Sequence, residues 1–133
     1  MNFRLIANTT SYVLWVEAGF LLLPLLVSVL YGEPWMPFFA TAVLCILIGF
    51  ILQLVPVKKA QMHSRDGFMA VALGWIALSL TGALPYVFSG ALTEYEDAVF
   101  ETVSGLTTTG STVFPEVEHL YRSVLLWRSL TQW

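Results

Sequence analysis

Three long apolar runs set the terms for any fold this chain can adopt. The first extends from about Leu5 to Tyr31, the second from about Trp35 to Val57 and the third from about Gly67 to Ser89. At ~1.5 Å per residue a helix over the first run is about 40 Å long, enough to cross a hydrocarbon core of ~30 Å with tilt. The other two are also long enough to span. Lipid offers no hydrogen-bond partner to bare backbone, so runs of this kind are read as transmembrane helices. Composition agrees: 57% of the 133 residues are hydrophobic and 11% are charged, where a soluble domain carries about 25% charge. The first run is too long for a cleavable signal peptide and lacks a small-residue cleavage site at its end.

The same composition excludes several classes of function. One cysteine, Cys45, cannot form an internal disulfide, and it lies inside an apolar run as a packing residue. His63 and His119 are far apart, with no cysteine or second histidine nearby, so no metal cluster is expected. No nucleophile, base and metal set converges as an enzyme would need. The chain is therefore expected to be neither an enzyme nor a nucleic-acid binder, and to need no cofactor.

Orientation follows from the basic residues, which favour cytoplasmic loops. The one basic cluster is KKAQMHSRDG, with Lys58, Lys59 and Arg65. This places the 58–66 loop inside, and Arg4 puts the N-terminus on the same side. The Gly32–Pro34 turn and the segment after Ser89 are then outside. Tyr31, Trp35, Tyr86 and Tyr95 fall at the outer interface, as aromatic belts do.

Past Ser89 the pattern changes. EYEDAVFETVSGL, residues 94–106, reads as a short helix. Thr93 is its expected N-cap, with Glu96 completing a capping box and Gly105 as the stop. Thirteen residues give only ~20 Å, too short to cross. The polar run TTTGST follows, then Pro115 and a new apolar helix beginning near His119. That last helix has only about 15 residues, or ~22 Å, before Trp133. The chain is expected to be cut inside a transmembrane helix and to be an N-terminal piece of something longer.

A span, a half-helix, a Thr/Gly loop and a second span make the layout of a re-entrant pore loop. Non-helical backbone at membrane depth survives only where it lines a water-filled cavity or is packed in protein. In a cation filter, backbone carbonyls replace the hydration shell of the ion. Glycine opens the backbone conformations that such a run needs, and threonine adds hydroxyls. The negative end of the half-helix would point at the ion. Glu33, Glu94, Glu96, Asp97, Glu101, Glu116 and Glu118 crowd the outer mouth against one base, Arg122, a field that gathers cations.

The run FETVSGLTTTGSTVFPEVEHLYRSVLLWRSLTQW resembles the first pore-loop repeat of the Trk/Ktr/HKT potassium transporter superfamily, most of all its Trk-type bacterial branch. The resemblance covers roughly Asp66 to Trp133, and the preceding helices resemble the extra N-terminal hairpin of that branch. It implies an all-α membrane protein divided into a hairpin (1–57), a cytoplasmic basic loop (58–66) and a helix–pore loop–helix repeat (67–133). It also implies that Thr107, Thr108, Thr109, Gly110 and Ser111 form one of four filter quarters, mainly through backbone carbonyls. Gly110 is then the filter glycine, a residue typical of potassium-favouring members, although a sodium-conducting member stays open. The partners it implies are potassium ions, the lipid bilayer of a bacterial inner membrane, the rest of the four-repeat subunit, a second copy in a homodimer and a cytosolic nucleotide-binding regulatory subunit.

Glu17 and Arg128 lie inside apolar runs, where a charge is a functional hypothesis by default. Arg128 is expected to pair with the half-helix through Glu101, in a structural role. Glu17 either snorkels or meets the pore repeat. Pro24 and Pro85 are expected to kink their helices, and Gly74, Ser79 and Gly82 to form a contact face on the third span. The competing function, from another class, is a non-conducting membrane scaffold.

Overall fold

The computed structural model describes residues 2–56 and 61–132. Lys58 and Lys59, which carry much of the orientation argument, lie outside the described residues. Six helices follow in order: α1 (Phe3–Tyr31), α2 (Met36–Gln53), α3 (Ser64–Gly82), α4 (Leu84–Phe88), α5 (Tyr95–Leu106) and α6 (Arg122–Thr131). There is no strand among the described residues. Three segments are long and apolar enough to cross a membrane: Phe3–Tyr31, Met36–Gln53 and Ser64–Phe88. The expected all-α membrane architecture is the one observed.

Local chemistry explains the boundaries. The N–H of Asn2 donates to Asp66 Oδ1 at 3.0 Å, and the N–H of His63 donates to Asp66 Oδ2 at 3.3 Å. Asp66 thus caps α3 and ties its start to the start of α1, which is why α3 begins at Ser64 and not at Gly67. At the other end of α1, Gly32 takes a left-handed conformation at φ 69°. There the Glu33 N–H reaches back to the Ser28 carbonyl at 2.8 Å, a closure that glycine permits without a Cβ penalty. Pro37 sits in the first turn of α2, where its missing N–H costs nothing.

The prolines differ in effect. Helix α1 runs through Pro24 without a break. The third apolar run does break, at Ala83, and Pro85 opens the short α4 that continues it. This fits a residue with no N–H to give to the preceding turn.

Helix α1 is the hub, packing on α2, α3 and α6. Leu14, Leu21, Phe38, Cys45, Tyr86 and Trp127 form the buried core. Two glycines make close approaches possible. A Cβ on Gly49 would strike the Trp15 indole, and one on Gly82 would sit 2.9 Å from Thr102 Cγ2. Gly74 faces Val13, so two of the three small residues expected on the contact face are there, while Ser79 donates to its own helix at Trp75. Large apolar side chains such as Leu22, Leu26, Phe50, Ile51 and Val71 point outward, the arrangement of helices whose outer faces meet lipid. Tyr86 corrects an expectation. It is fully buried, 6.0 Å from the Phe114 ring, and faces no interface.

Candidate functional site

Helix α5 has 12 residues, or about 18 Å, and does not cross. Its N-cap is Glu94, not Thr93, and no side chain caps it. The first intrahelical bond runs from the Ala98 N–H to the Glu94 carbonyl, so the helix starts one residue later than the capping pattern suggests. An anchor from outside holds this end: Tyr95 Oη donates to the Leu80 carbonyl at 2.6 Å. Ala98, Glu101, Thr102, Ser104 and Gly105 form the buried face of α5.

Gly105 does not end the helix. It is buried in the last turn, where an added Cβ would strike the Thr131 side chain of α6. The stop is a Schellman closure three residues on. The Thr108 N–H donates to the Gly105 carbonyl at 2.9 Å and the Thr109 N–H to the Ser104 carbonyl at 3.0 Å, with Thr108 left-handed at φ 57°. Left-handed threonine is uncommon, and such residues concentrate where surrounding structure imposes them. Gly110 is left-handed as well, at φ 77°.

Thr107, Thr108, Thr109, Gly110 and Ser111 therefore form one contiguous stretch leaving the C-terminus of α5, and all five are exposed. Two of the threonine hydroxyls are engaged locally: Thr107 Oγ1 donates to the Val103 carbonyl at 2.7 Å and lies 2.8 Å from Thr109 Oγ1. The Ser111 carbonyl accepts from Ser104 Oγ at 2.6 Å, which folds the stretch back beside its helix.

The segment just beyond is fixed by Glu101. This carboxylate accepts from Arg128 Nε at 2.6 Å, from Thr112 Oγ1 at 3.0 Å and from the Val113 N–H at 3.1 Å. The ion pair expected between Arg128 and Glu101 is present, and Glu101 does more than pair. It ties α5, α6 and the backbone after Ser111 into one unit, with its side chain 2% exposed. Thr112 Oγ1 in turn accepts from the Phe114 N–H at 3.1 Å.

A second clamp was not legible beforehand. Glu33, counted above among the mouth acids, accepts from the N–H groups of Arg122 and Ser123 and from Ser123 Oγ, at 2.7–3.0 Å. It caps the N-terminus of α6 from across the molecule, where a negative group suits the helix dipole. Partial burial works against its charge, but these three donors and the Arg122 guanidinium outweigh it and hold the carboxyl below its ordinary range. Arg122 also stacks 4.4 Å from the Tyr31 ring centroid. The only signal in the sequence was a lone acid in a turn, and nothing local to it names a partner so far along the chain. Helix α6 itself starts at Arg122, later than the His119 expected, and His119 lies outside it beside Glu116. Glu94, Glu96, Asp97, Glu116 and Glu118 remain exposed. No group of histidine, cysteine and acids suited to a metal ion occurs among the described residues.

Comparison with known proteins places this geometry. Residues 35–133 match the model of the TrkH cation transport protein family. The chain is 36% identical to the Trk system potassium uptake protein TrkH of Salmonella typhimurium over 137 aligned positions, covering all of this chain and 28% of that protein. It is 38% identical to an uncharacterized cation transporter of Methanocaldococcus jannaschii over 115 positions, covering 86% of this chain and 24% of the relative. Its fold superposes on the crystal structure of the potassium transporter TrkH from Vibrio parahaemolyticus with a TM-score of 0.92 at 33% identity, covering the whole chain and 29% of that structure. The chain thus spans less than a third of the length of these relatives. With three apolar spans, a half-helix held by a part-buried ion pair and a matching family model over most of its length, this integral membrane chain belongs to the TrkH cation transport protein family.

Proposed function

We propose that this chain supplies one quarter of a potassium filter within a longer pore subunit. The division is a hairpin over 1–57, a cytoplasmic loop over 58–66 and the first helix–pore loop–helix repeat over 67–133. The supporting observation is the exposed stretch Thr107–Ser111 leaving the C-terminus of α5, with left-handed backbone at Thr108 and Gly110. Left-handed residues alternating with ordinary ones can turn successive carbonyls toward one side, as dehydration of a cation requires. The negative end of the α5 dipole adds to the attraction. Ser111 keeps one carbonyl lone pair on Ser104 and so acts as the tether at the end of the quarter.

In this reading potassium passes inward across a bacterial inner membrane, the N-terminus is cytoplasmic and the loop mouth is outside. No covalent chemistry is involved. The assembly would be the homodimer with a nucleotide-binding regulatory subunit that the family resemblance implies.

The test is potassium uptake in cells stripped of their own import. Three forms are expressed: the chain alone, the chain within its full reading frame, and the latter with Gly110→Asp. Uptake by the unmutated long form alone is the expected result. Equal uptake with aspartate at 110 removes the filter from this stretch and favours a scaffold role.

A further inference from the structure

Glu17 lies near the middle of the 29-residue α1 and is 4% exposed. It does not reach toward a headgroup. Its Oε2 meets Thr81 Oγ1 of α3 at 2.6 Å and Cys45 Sγ of α2 at 3.8 Å. Its Oε1 lies where a Cβ on Gly82 would be 3.2 Å away, and that same Cβ would touch Thr102 of α5. The residue therefore stands where the hairpin, the end of α3 and the back of α5 come together. It also lines an apolar cavity of about 610 Å³ between α1, α3, α5 and α6.

The groups packed around this carboxyl bear on its state. A threonine hydroxyl has one hydrogen to give. Thr81 Oγ1 lies 2.6 Å from Glu17 and 2.7 Å from the Ala77 carbonyl one turn back on its own helix. If Glu17 is ionised, a buried charge near the bilayer centre is served by that one shared hydroxyl and a weak thiol. No salt bridge involves Glu17 among the described residues, and no described lysine, arginine or histidine lines the cavity. The titratable groups near it are Cys45 on α2 and Tyr12 on α1. Arg128, on α6, is taken by Glu101. An unpaired ion in that setting is strongly disfavoured. If Glu17 is protonated at Oε2, its O–H can donate to Thr81 Oγ1, whose own O–H then goes to the Ala77 carbonyl, and no charge is left buried beside the Cys45 thiol.

We propose that Glu17 is a neutral carboxylic acid at neutral pH, and that as a hydrogen-bond donor it is a positioning residue fastening the N-terminal hairpin to α3 behind the half-helix. This stands independently of the filter reading. It is tested by infrared spectroscopy of the chain within its full reading frame, in lipid bilayers at pH 7. The expected result is a C=O stretch of a protonated carboxylic acid that Glu17→Gln removes. Thr81→Val is expected to keep that band and move it to higher frequency, because the acid loses its acceptor. Thr81→Val keeps the assignment testable if Glu17→Gln does not fold. Folded yield is expected near the native level for Glu17→Gln and several-fold lower for Glu17→Ala. Absence of a protonated-acid band in the native chain, or a band untouched by both Glu17→Gln and Thr81→Val, overturns the proposal.

Discussion

Replacing Arg128 with glutamine removes the guanidinium from a carboxylate that has almost no water to turn to. At the effective dielectric of a partly shielded site, two unit charges 4 Å apart attract by about 4 kcal/mol. Removing one partner of a buried pair costs about 3–5 kcal/mol, mostly because the other charge is left behind. Two details put Arg128→Gln at the low end. The Arg128 side chain is 22% exposed while that of Glu101 is 2% exposed, and Glu101 keeps the Thr112 hydroxyl and Val113 N–H as donors. A loss of about 3 kcal/mol is expected for the single variant. Glu101→Gln removes the stranded charge and still offers an acceptor to Val113, so the double variant should be about 2 kcal/mol better than the sum of the singles. The assay is chemical denaturation in detergent followed by tryptophan fluorescence, with Trp127 next to the mutated site. Additive singles, or an Arg128→Gln loss under about 1 kcal/mol, would mean that the pair behaves as a surface ion pair, and the reasoning would be wrong. In the full-length subunit the same variant should lower folded yield without changing ion preference; altered preference at normal yield also refutes it.

Glu33→Ala should destabilise α6 by about 1 kcal/mol, the usual loss for an N-cap acceptor, read from the denaturation midpoint. The native contacts hold the Glu33 carboxyl below its ordinary range. Its contribution is therefore complete above that range, about pH 4.3, and is lost as pH falls through the lower folded value. Glu33→Gln should flatten this acid-side decline, and an unchanged pH profile would remove the clamp. Gly105→Ala should destabilise the chain by about 1–3 kcal/mol through overpacking against Thr131, although alanine is the better helix former by ~1 kcal/mol. Thr131→Ala in the same chain should recover part of the loss, and a stabilised Gly105→Ala would show that the two helices are not in close contact. Gly110→Ala places a Cβ on a left-handed residue with open space around it, so a loss near 1 kcal/mol in thermal stability is expected from strain alone.

The spans, the short helix and the Thr/Gly stretch were legible in the residues themselves, because hydrophobic run length, turn residues and local polarity act over neighbouring positions. The Arg128–Glu101 pair could be named as well, since an arginine in an apolar run needs a carboxylate and the half-helix holds one. Other features depend on residues far apart in the chain. The Gly105 stop and the Thr93 cap were sound local patterns, yet α5 runs on to a left-handed Thr108 because Gly105 is needed for contact with Thr131. Glu33 looked like one more mouth acid; only the fold brings it to the N-H groups of Arg122 and Ser123, about ninety positions away. Glu17 could not be assigned until α2 and α3 supplied Cys45 and Thr81 around it. What the sequence determined by itself is where the chain must be helical and where it must leave lipid, since both follow from transfer of local surface and backbone. Which acids are free to attract cations, and which hold helices together, was decided by the tertiary structure alone, because a carboxylate's role depends on the donors packed around it.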